Sequence, residues 1–370
     1  LKTHQVQQKT ERRISAALRL VFVAALLLGQ IALAFFLSTE LRQRAAIIYT
    51  VLELAAFGYA VRIYNRTDGT SYKFGWIFLV LTVPVVGLIL YFLWNGDRQQ
   101  KRLDLKKLPM PEEPEAQQAA HRIQMEKLRR KYPQWERLSV YLSRQGYLLY
   151  GDTETTYLPT GEAFLQDMLE KLEQAEHFIF LEFFIIAQGQ IWDRMEEIFR
   201  RKAAAGVEVK LIFDDFGSMM RFPAGQIEAL RESGVEVQVF NPVHHYVNRL
   251  YFNYRDHRKI VCIDGSTAYT GGANVADEYA NLTVRFGYWK DCGIRLDGAG
   301  AWGLTREFLH MWQRNGGQLM QERDYYRPHD HREAAGFCQP FVDGPDNNPI
   351  STAEDVFLHL INNARRSVHI

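Results

Sequence analysis

The sequence predicts an α/β protein with N-terminal transmembrane helices, an α/β/α sandwich domain, and the start of a second copy of that domain at the C-terminus. Long apolar runs occupy the first hundred residues. From Gln145 onward, short apolar runs alternate with amphipathic segments at helical spacing, as in an open sheet covered by helices. Ser351–Ala364 then repeats the pattern of Gly161–Ala175, which indicates a duplicated fold.

The N-terminal region contains three apolar runs, Leu20–Leu37, Ala45–Val61 and Trp76–Trp94. The last has no charged residue and can reach across a hydrocarbon core of about 30 Å. The second is interrupted by Glu53, which is costly inside a membrane, and a buried core helix would look similar. We expect three membrane spans, with two as the alternative. With three spans the basic residues on the two sides nearly cancel, so the positive-inside rule gives no orientation. With two spans both basic ends would be cytoplasmic, and we expect the domain that follows to be cytoplasmic.

Changes in composition divide the chain into four parts. Residues 1–96 form the membrane region, 97–140 a charged linker, 141–335 a first catalytic domain, and 336–370 the start of a second, incomplete domain. The linker contains a helical pattern over Gln117–Arg130 with a basic end. This end is either a solvated connecting helix or a surface that rests on anionic headgroups.

Within the predicted catalytic domain, period and length assign each element before and after the central motif. The predicted helices are Gly161–Ala175, Trp192–Ala205, Gln226–Ser233 and Trp302–Gln313, and the predicted strands are His177–Ile186, Val207–Phe213, Val235–Phe240 and Cys292–Leu296. This order predicts helices on both faces of one sheet.

One motif organises the domain: His257-x-Lys259-x4-Asp264, followed by Gly271-Gly272-x-Asn274. Two short apolar runs on either side of a turn predict a β-hairpin. Residues two apart on a strand share a face, so His257 and Lys259 can enter one pocket. Asp264 has the other parity and lies at the turn, where bonding the backbone or positioning the pocket wall suits it. Asn274 could reach back to the same pocket.

These residue types fit chemistry at phosphorus. A neutral, oriented imidazole is a nucleophile, and an ammonium beside it stabilises the charge that develops on phosphoryl oxygens. We therefore group His257, Lys259 and Asp264 as the catalytic motif, with Asn274 as a fixed donor. The scheme needs no metal and no other cofactor. The three cysteines have no metal-ligand spacing and indicate neither a zinc site nor a disulfide framework.

Two further acidic residues are supporting candidates, and one loop has two interpretations. Glu182 is a charge within a predicted buried strand, so it either lines the pocket or marks a sheet edge. Asp291 precedes a strand and is a candidate to bond the far nitrogen of His257, fixing its tautomer. Phe216 and the run Met219–Phe222 form an apolar loop that either dips into lipid or packs within the domain.

The run from His257 to Asp264, continued through Gly271 to Tyr279, resembles bacterial cardiolipin synthases of the phospholipase D superfamily. The resemblance extends over roughly residues 45–370. It implies a covalent phosphohistidine intermediate, and two such motifs that meet at one active site. It also implies phosphatidylglycerol and an anionic phospholipid membrane as partners. An acidic residue that holds the histidine from a neighbouring strand supports the role of Asp291.

The resemblance implies that the protein joins two phosphatidylglycerol molecules into cardiolipin and glycerol. The alternatives are a membrane-bound phospholipase D-type phosphodiesterase, a nuclease or an inactive fragment. A net charge of +1 argues against nucleic acid as a partner. Only one H-x-K occurs in the 370 residues. We therefore expect the second motif beyond Ile370, no turnover by this chain alone, and a half-site beside an uncovered apolar face. A homodimer that pairs two copies of His257 is the exception.

Overall fold

The computed structural model describes residues 24–25, 28–29, 31–32, 35, 42–66, 70–94, 115–242, 255–318, 320–327, 336–344 and 351–369. The chain divides into two compact units. The first holds the N-terminal helices, and the second holds the sheet and the helices around it. The predicted span Leu20–Leu37 falls mostly outside the described residues.

The N-terminal unit contains α1 (Arg42–Tyr64), α2 (Thr70–Thr82) and α3 (Pro84–Trp94). Within the described residues, one helical segment, Ile47–Tyr64, has the length and apolar composition needed to cross a membrane. Its side chains are largely exposed, including Leu54 and Phe57. This segment corresponds to the predicted run Ala45–Val61.

The prediction of one span over Trp76–Trp94 is wrong, because the run is two helices separated at Val83. Pro84 begins α3, where a missing N–H costs nothing. The chain folds back so closely that a Cβ on Gly87 would lie 2.5 Å from the carbonyl oxygen of Leu79. Glycine is therefore required at this turn, and the apolar run forms a short helical hairpin.

The second unit begins earlier than the sequence predicts. Its helices are α4 (Glu115–Lys131), α5 (Glu136–Arg144), α6 (Gly161–Leu172), α7 (Gln190–Ala204), α8 (Asp215–Ser218), α9 (Ala224–Glu232), α10 (Ala301–Arg314), α11 (Glu322–Tyr325) and α12 (Thr352–Asn363). Gln117 of α4 is buried and accepts a hydrogen bond from Trp302 Nε1. The second half of the predicted linker is thus part of the folded domain.

Seven strands form one mixed sheet in the order β1-β7-β6-β5-β2-β3-β4. They are β1 (Thr153–Leu158), β2 (Phe178–Phe183), β3 (Glu208–Asp214), β4 (Glu236–Phe240), β5 (Ile260–Ile263), β6 (Thr267–Gly271) and β7 (Gly293–Gly298). β2, β3 and β4 are parallel, whereas the remaining pairs are antiparallel. The sequence analysis missed β1, a polar edge strand that pairs only with β7 and therefore lacks the apolar run of a buried strand.

Apolar side chains fill both faces of the sheet, as predicted. One core lies under α6, α7 and α9, and the other under α10. The central strand β2 alternates between them, with Ile179, Leu181 and Phe183 on one face and Phe178 and Phe180 on the other. All six residues of β2 are buried, which explains its nearly uniform apolar sequence.

The C-terminal helix α12 confirms the helical part of the predicted repeat. It is tied to α5 by a hydrogen bond of 2.5 Å between Tyr141 Oη and Asp355 Oδ2. Phe357 and Ile361 on α12 are exposed. The described residues Ser367–His369 form no strand, because an apolar run becomes a strand only when a neighbouring strand pairs with its backbone.

Candidate active site

The predicted hairpin is present as β5 and β6, joined by a turn in which Asp264 and Gly265 have φ of 53° and 67°. The Asp264 carboxylate accepts hydrogen bonds from the backbone N–H groups of Glu176, His177 and Phe178, at 2.7–2.8 Å. It thereby ties the turn to the start of β2. His257 and Asp264 lie at opposite ends of β5, and the Asp264 carboxylate stabilises the contact between the turn and β2. These contacts agree with the backbone-bonding role predicted for Asp264, and its grouping with the catalytic residues stays a prediction.

His257 and Lys259 share one environment, the ring of Phe184. The imidazole and the Phe184 ring have centroids 4.8 Å apart, and Lys259 Nζ lies 5.7 Å from the same ring. Lys259 Nζ also donates a hydrogen bond of 2.6 Å to the His257 carbonyl oxygen. Lys259 is buried, whereas His257 is exposed. The ammonium is therefore fixed in place, and the imidazole is free to meet a substrate.

Burial changes the protonation of both groups. It lowers the pKa of His257 below its ordinary value, and the positive charge of Lys259 lowers it further. A neutral imidazole with a free lone pair is thus favoured at neutral pH. Burial lowers the pKa of Lys259 to about 8, against the opposing effect of Asp256 and Asp291. The lysine remains mostly protonated at pH 7 but titrates close to it.

Asn274 lies behind the site. Its Oδ1 accepts a hydrogen bond of 3.0 Å from the Ile185 N–H, and its Nδ2 donates to Tyr279 Oη at 2.8 Å. The side chain is buried. It fixes the segment after β2 that carries Phe184, so it supports the ring under His257. The prediction that it also reaches the pocket stays a prediction.

Asp291 does not bond His257 in the part of the chain that the structure describes. Its Oδ1 accepts a hydrogen bond of 2.8 Å from the Cys292 N–H, and its charge is felt at Lys259, whose pKa it raises. Neighbouring strands approach closely here: a Cβ on Gly272 would lie 2.3 Å from Asp291 Oδ1, and one on Gly271 would lie 2.6 Å from the Cys292 carbonyl oxygen. The glycine pair therefore lets the Asp291 segment come near the lysine.

Glu182 is central in the sheet, which excludes the edge interpretation. It pairs with Ile260 of β5 and Ile212 of β3, and it is fully buried. Its face is opposite to that of His257, so it does not line the substrate pocket either. Arg258 Nε lies 2.5 Å from Glu182 Oε1, and Asp256 completes a buried charged group.

The sequence analysis missed Asp214, at the carboxyl end of β3. Its Oδ2 accepts a hydrogen bond of 2.9 Å from the Asp256 N–H, beside His257. Its Oδ1 accepts from Phe216 N, Gly217 N and Arg255 Nη1. Burial raises the pKa of Asp214 to about 6, against the effect of Arg255. The sequence signal that could have identified it is the acidic pair Asp214-Asp215 at the carboxyl end of a parallel strand, where α/β proteins place their ligand-binding sites.

Apolar side chains protrude from two loops that an ion-pair network connects. Met220, which follows α8, is 70% exposed, and Val284 and Phe286 are 84% and 78% exposed. Glu278 pairs with Arg221 in the first loop at 2.5 Å and with Arg285 in the second at 3.2 Å. Phe222 is buried against Trp192 and Phe213, so the predicted apolar loop is divided between packing and exposure.

Among the described residues, no group of three or more His, Cys, Asp or Glu side chains could hold a metal ion.

The fold and motif define a phospholipase D-like domain, and two family profiles match the chain. Residues 168–284 match the cardiolipin synthase, PLD-like domain, and residues 54–95 match the phospholipase D-nuclease N-terminal region.

The chain belongs to the bacterial cardiolipin synthase family of the phospholipase D superfamily. An uncharacterized protein of Streptococcus mutans is 35% identical over 323 residues, which are 85% of this chain and 68% of that protein. Cardiolipin synthase 2 of Bacillus anthracis is 30% identical, with 86% of this chain and 62% of the relative covered. The major cardiolipin synthase of Bacillus subtilis is 28% identical, with 83% and 65% covered. The chain thus spans about two thirds of the length of these relatives.

Proposed function

We propose that the protein is a phosphatidyltransferase that makes cardiolipin from two molecules of phosphatidylglycerol, with His257 as the nucleophile. The observation that carries this proposal is the pair of His257 and Lys259 on one phenylalanine ring, with an exposed imidazole beside a buried ammonium. The family membership gives the substrate class. The geometry gives the chemistry, because a neutral imidazole next to a fixed cation suits attack on an anionic phosphodiester.

In the first step, an imidazole nitrogen of His257 forms a bond to phosphorus, and the bond from phosphorus to the glycerol headgroup oxygen breaks. Lys259 stabilises the negative charge on the phosphoryl oxygens as the geometry at phosphorus changes. The departing glycerol oxygen takes a proton from a general acid. The product is a phosphatidyl-histidine and free glycerol.

In the second step, the headgroup hydroxyl of another phosphatidylglycerol attacks the phosphorus. Its proton passes to the group that acted as the acid, and the bond to His257 breaks. Cardiolipin leaves, and the imidazole is neutral again. The chain has one H-x-K, so we propose that the acid and base is the histidine of a second motif, supplied by a further segment of the protein or by a second copy.

A phospholipase D-type hydrolase is the second candidate, because water can replace the alcohol in the second step. The exposure of His257 favours this alternative, since an open imidazole admits water. The two functions share the first step and differ in the acceptor. Their products, cardiolipin and phosphatidic acid, therefore distinguish them.

The membrane is the proposed location of the reaction. The apolar helical segment Ile47–Tyr64 and the exposed side chains of Val284 and Phe286 support it. We expect the protein to stay with the membrane fraction through carbonate and high-salt washing, since these release peripheral electrostatic contacts but not a spanning helix. Recovery in the wash would contradict this location.

The test is reconstitution of the full-length protein with headgroup-labelled and acyl-labelled phosphatidylglycerol. We expect labelled glycerol and cardiolipin in a molar ratio near one, and His257→Ala should form neither. Lys259→Ala should lose about 2–4 kcal/mol of transition-state stabilisation. Enzyme denatured with detergent at neutral pH should carry acyl label on His257, because acid would cleave the phosphorus–nitrogen bond. Near wild-type turnover by His257→Ala would contradict the assignment, and phosphatidic acid without cardiolipin would favour the hydrolase.

A further inference from the structure

A buried group of three charged side chains lies directly beneath the motif. Asp256 and Arg258 flank His257 in sequence and lie on the opposite face from it, together with Glu182. The side chains of Glu182 and Asp256 are fully buried, and that of Arg258 is 12% exposed. The group therefore sits between the motif and the core under α10.

The hydrogen bonds of this group are incomplete in a specific way. Asp256 Oδ1 accepts from Arg258 N and Arg258 Nε at 3.2 and 3.3 Å, whereas Asp256 Oδ2 accepts from no donor. Glu182 has its ion pair with Arg258 Nε, but neither of its oxygens accepts a hydrogen bond. Glu182 Oε1 and Asp256 Oδ1 nevertheless lie 2.5 and 3.3 Å from the same atom, Arg258 Nε, so the two carboxylates are close neighbours.

If both carboxylates are ionised they repel each other, and Arg258 supplies only one positive charge to the two. With both ionised, the group would carry two negative charges and one positive charge away from water, and such an uncompensated charge is costly. A single proton removes both problems, because a carboxylic acid is a donor and a carboxylate is an acceptor. It belongs on Glu182, since Asp256 already accepts two hydrogen bonds that stabilise its charge.

We propose that Glu182 is a neutral carboxylic acid that donates a hydrogen bond to Asp256, and that this bond positions His257. Glu182 donates to Asp256, and Asp256 Oδ1 accepts a hydrogen bond from the Arg258 N–H. His257 lies between Asp256 and Arg258 in the sequence. Asp214 holds the Asp256 N–H from the other side. His257 is therefore fixed through its two neighbours while its own ring stays exposed. Glu182 is a positioning residue and does not touch the substrate.

The surroundings of Glu182 agree with a neutral acid. Burial raises the pKa of Glu182 well above its ordinary value, and Asp256 raises it further, against the opposing charge of Arg258. Among the described residues, further titratable groups that interact electrostatically with Glu182 or Arg258 are Cys262 on β5, Glu307 on α10 and Tyr147, which follows α5. Glu307 is a further carboxylate whose charge acts on Arg258. Lys210 on β3 is a buried cation on the same face of the sheet, but it forms ion pairs with Glu208 and Glu236.

An infrared measurement on the purified full-length protein near pH 7.5 tests the proton directly. We expect a protonated-carboxyl stretch that shifts in deuterium oxide and is lost in Glu182→Gln. Glu278→Gln is the matched control: Glu278 is also buried but has two hydrogen bonds from Arg221, which with Arg285 lower its pKa. The control should keep the band. A wild-type spectrum identical to that of Glu182→Gln would overturn the proposal, whatever reaction the protein catalyses.

Kinetics test the positioning role, and this arm rests on the proposed function. A glutamine retains a donor for Asp256, so Glu182→Gln should keep kcat within a few-fold and KM unchanged. Glu182→Leu has the same bulk but no donor, and kcat should fall about tenfold or more while KM stays unchanged, since displaced catalytic groups cost rate. Equal losses in both variants would overturn neutrality of Glu182. Full activity in Glu182→Leu would overturn the positioning role.

Discussion

At the residue scale, alternation along one short segment separates two jobs. His257 and Lys259 meet at Phe184, while Asp256 and Arg258 enter the buried face of the sheet. Because side chains alternate with a two-residue period, His257 and Lys259 face the site, and the charged side chains of Asp256 and Arg258 lie buried on the opposite face. The same segment sets the protonation of the site, because burial lowers the pKa values of His257 and Lys259 together.

The first prediction at this scale concerns the alkaline limb of activity. The catalytic form of Lys259 is the protonated one, and it is lost as pH rises through about 8. Activity should therefore fall above about pH 8, by roughly tenfold per unit well above the pKa. Lys259→Arg keeps its charge and should move this limb to higher pH at a lower maximal rate. Identical limbs in both proteins would assign the titration to another group.

The second prediction separates structure from chemistry at Asp264. Its carboxylate accepts three backbone hydrogen bonds, so Asp264→Ala should lower the free energy of unfolding by about 1–3 kcal/mol. Thermal unfolding of the full-length protein measures this change. Asp324→Ala removes an exposed carboxylate with an ion pair of 3.7 Å and should have no measurable effect. A large loss of kcat with unchanged stability in Asp264→Ala would instead support the catalytic role.

At the element scale, the site depends on how strands approach one another. The hairpin of β5 and β6 carries the motif, β2 carries Glu182 and leads into Phe184, and β7 follows Asp291. β6 and β7 come close enough at Gly271 that a side chain would meet the Cys292 carbonyl oxygen. The glycine pair of the motif therefore also indicates how closely β6 approaches β7.

The glycine pair gives a matched test of this contact. Gly271→Ala would press on backbone atoms that cannot move alone, and overpacking of this kind costs about 1–3 kcal/mol. Gly272→Ala would press on the Asp291 side chain, which can rotate, so its cost should be smaller. Displacing Asp291 removes a charge that raises the pKa of Lys259, so the alkaline limb should move to lower pH. Stability curves and pH profiles of both variants check the pair, and a reversed order would contradict it.

At the scale of the whole molecule, apolar surface remains on both units. In the domain that carries the motif, Val284, Phe286 and Met220 project from neighbouring loops, with Arg285 50% exposed beside them. Aromatic and aliphatic side chains next to a basic residue suit the interface of an anionic bilayer. We expect these loops to meet the lipid that carries the substrate.

Fluorescence quenching tests this contact in proteoliposomes of full-length protein. Phe286→Trp should gain emission that brominated acyl chains of phosphatidylglycerol quench. Phe357→Trp is the matched control, because Phe357 is also exposed, at 64%, but lies on α12. Its added emission should stay unquenched. Equal quenching at both positions, or none at position 286, would contradict a lipid contact specific to these loops.

The sequence by itself determined the hairpin, the pairing of His257 with Lys259, the backbone-bonding position of Asp264 and the alternation of helices and strands. Each depends on neighbours in the chain or on a short period, which a sequence displays directly. It also carried the family membership through the motif. The sequence analysis did not predict the polar edge strand β1, because this strand forms by pairing with β7 rather than by burying an apolar run.

Only the tertiary structure decided where the supporting charges act. The supporting charged side chains come from three parts of the chain, which meet because β2, β3 and the segment before β5 are adjacent. They are Glu182, Asp214, Asp256 and Arg258. Asp291 was expected to bond His257 and instead lies near Lys259, since its position follows from strand packing. The apolar run Trp76–Trp94 folds back at Pro84, and the second helix packs against the first at Gly87 and Leu79. Contacts between distant segments depend on three-dimensional registration, which no local pattern records.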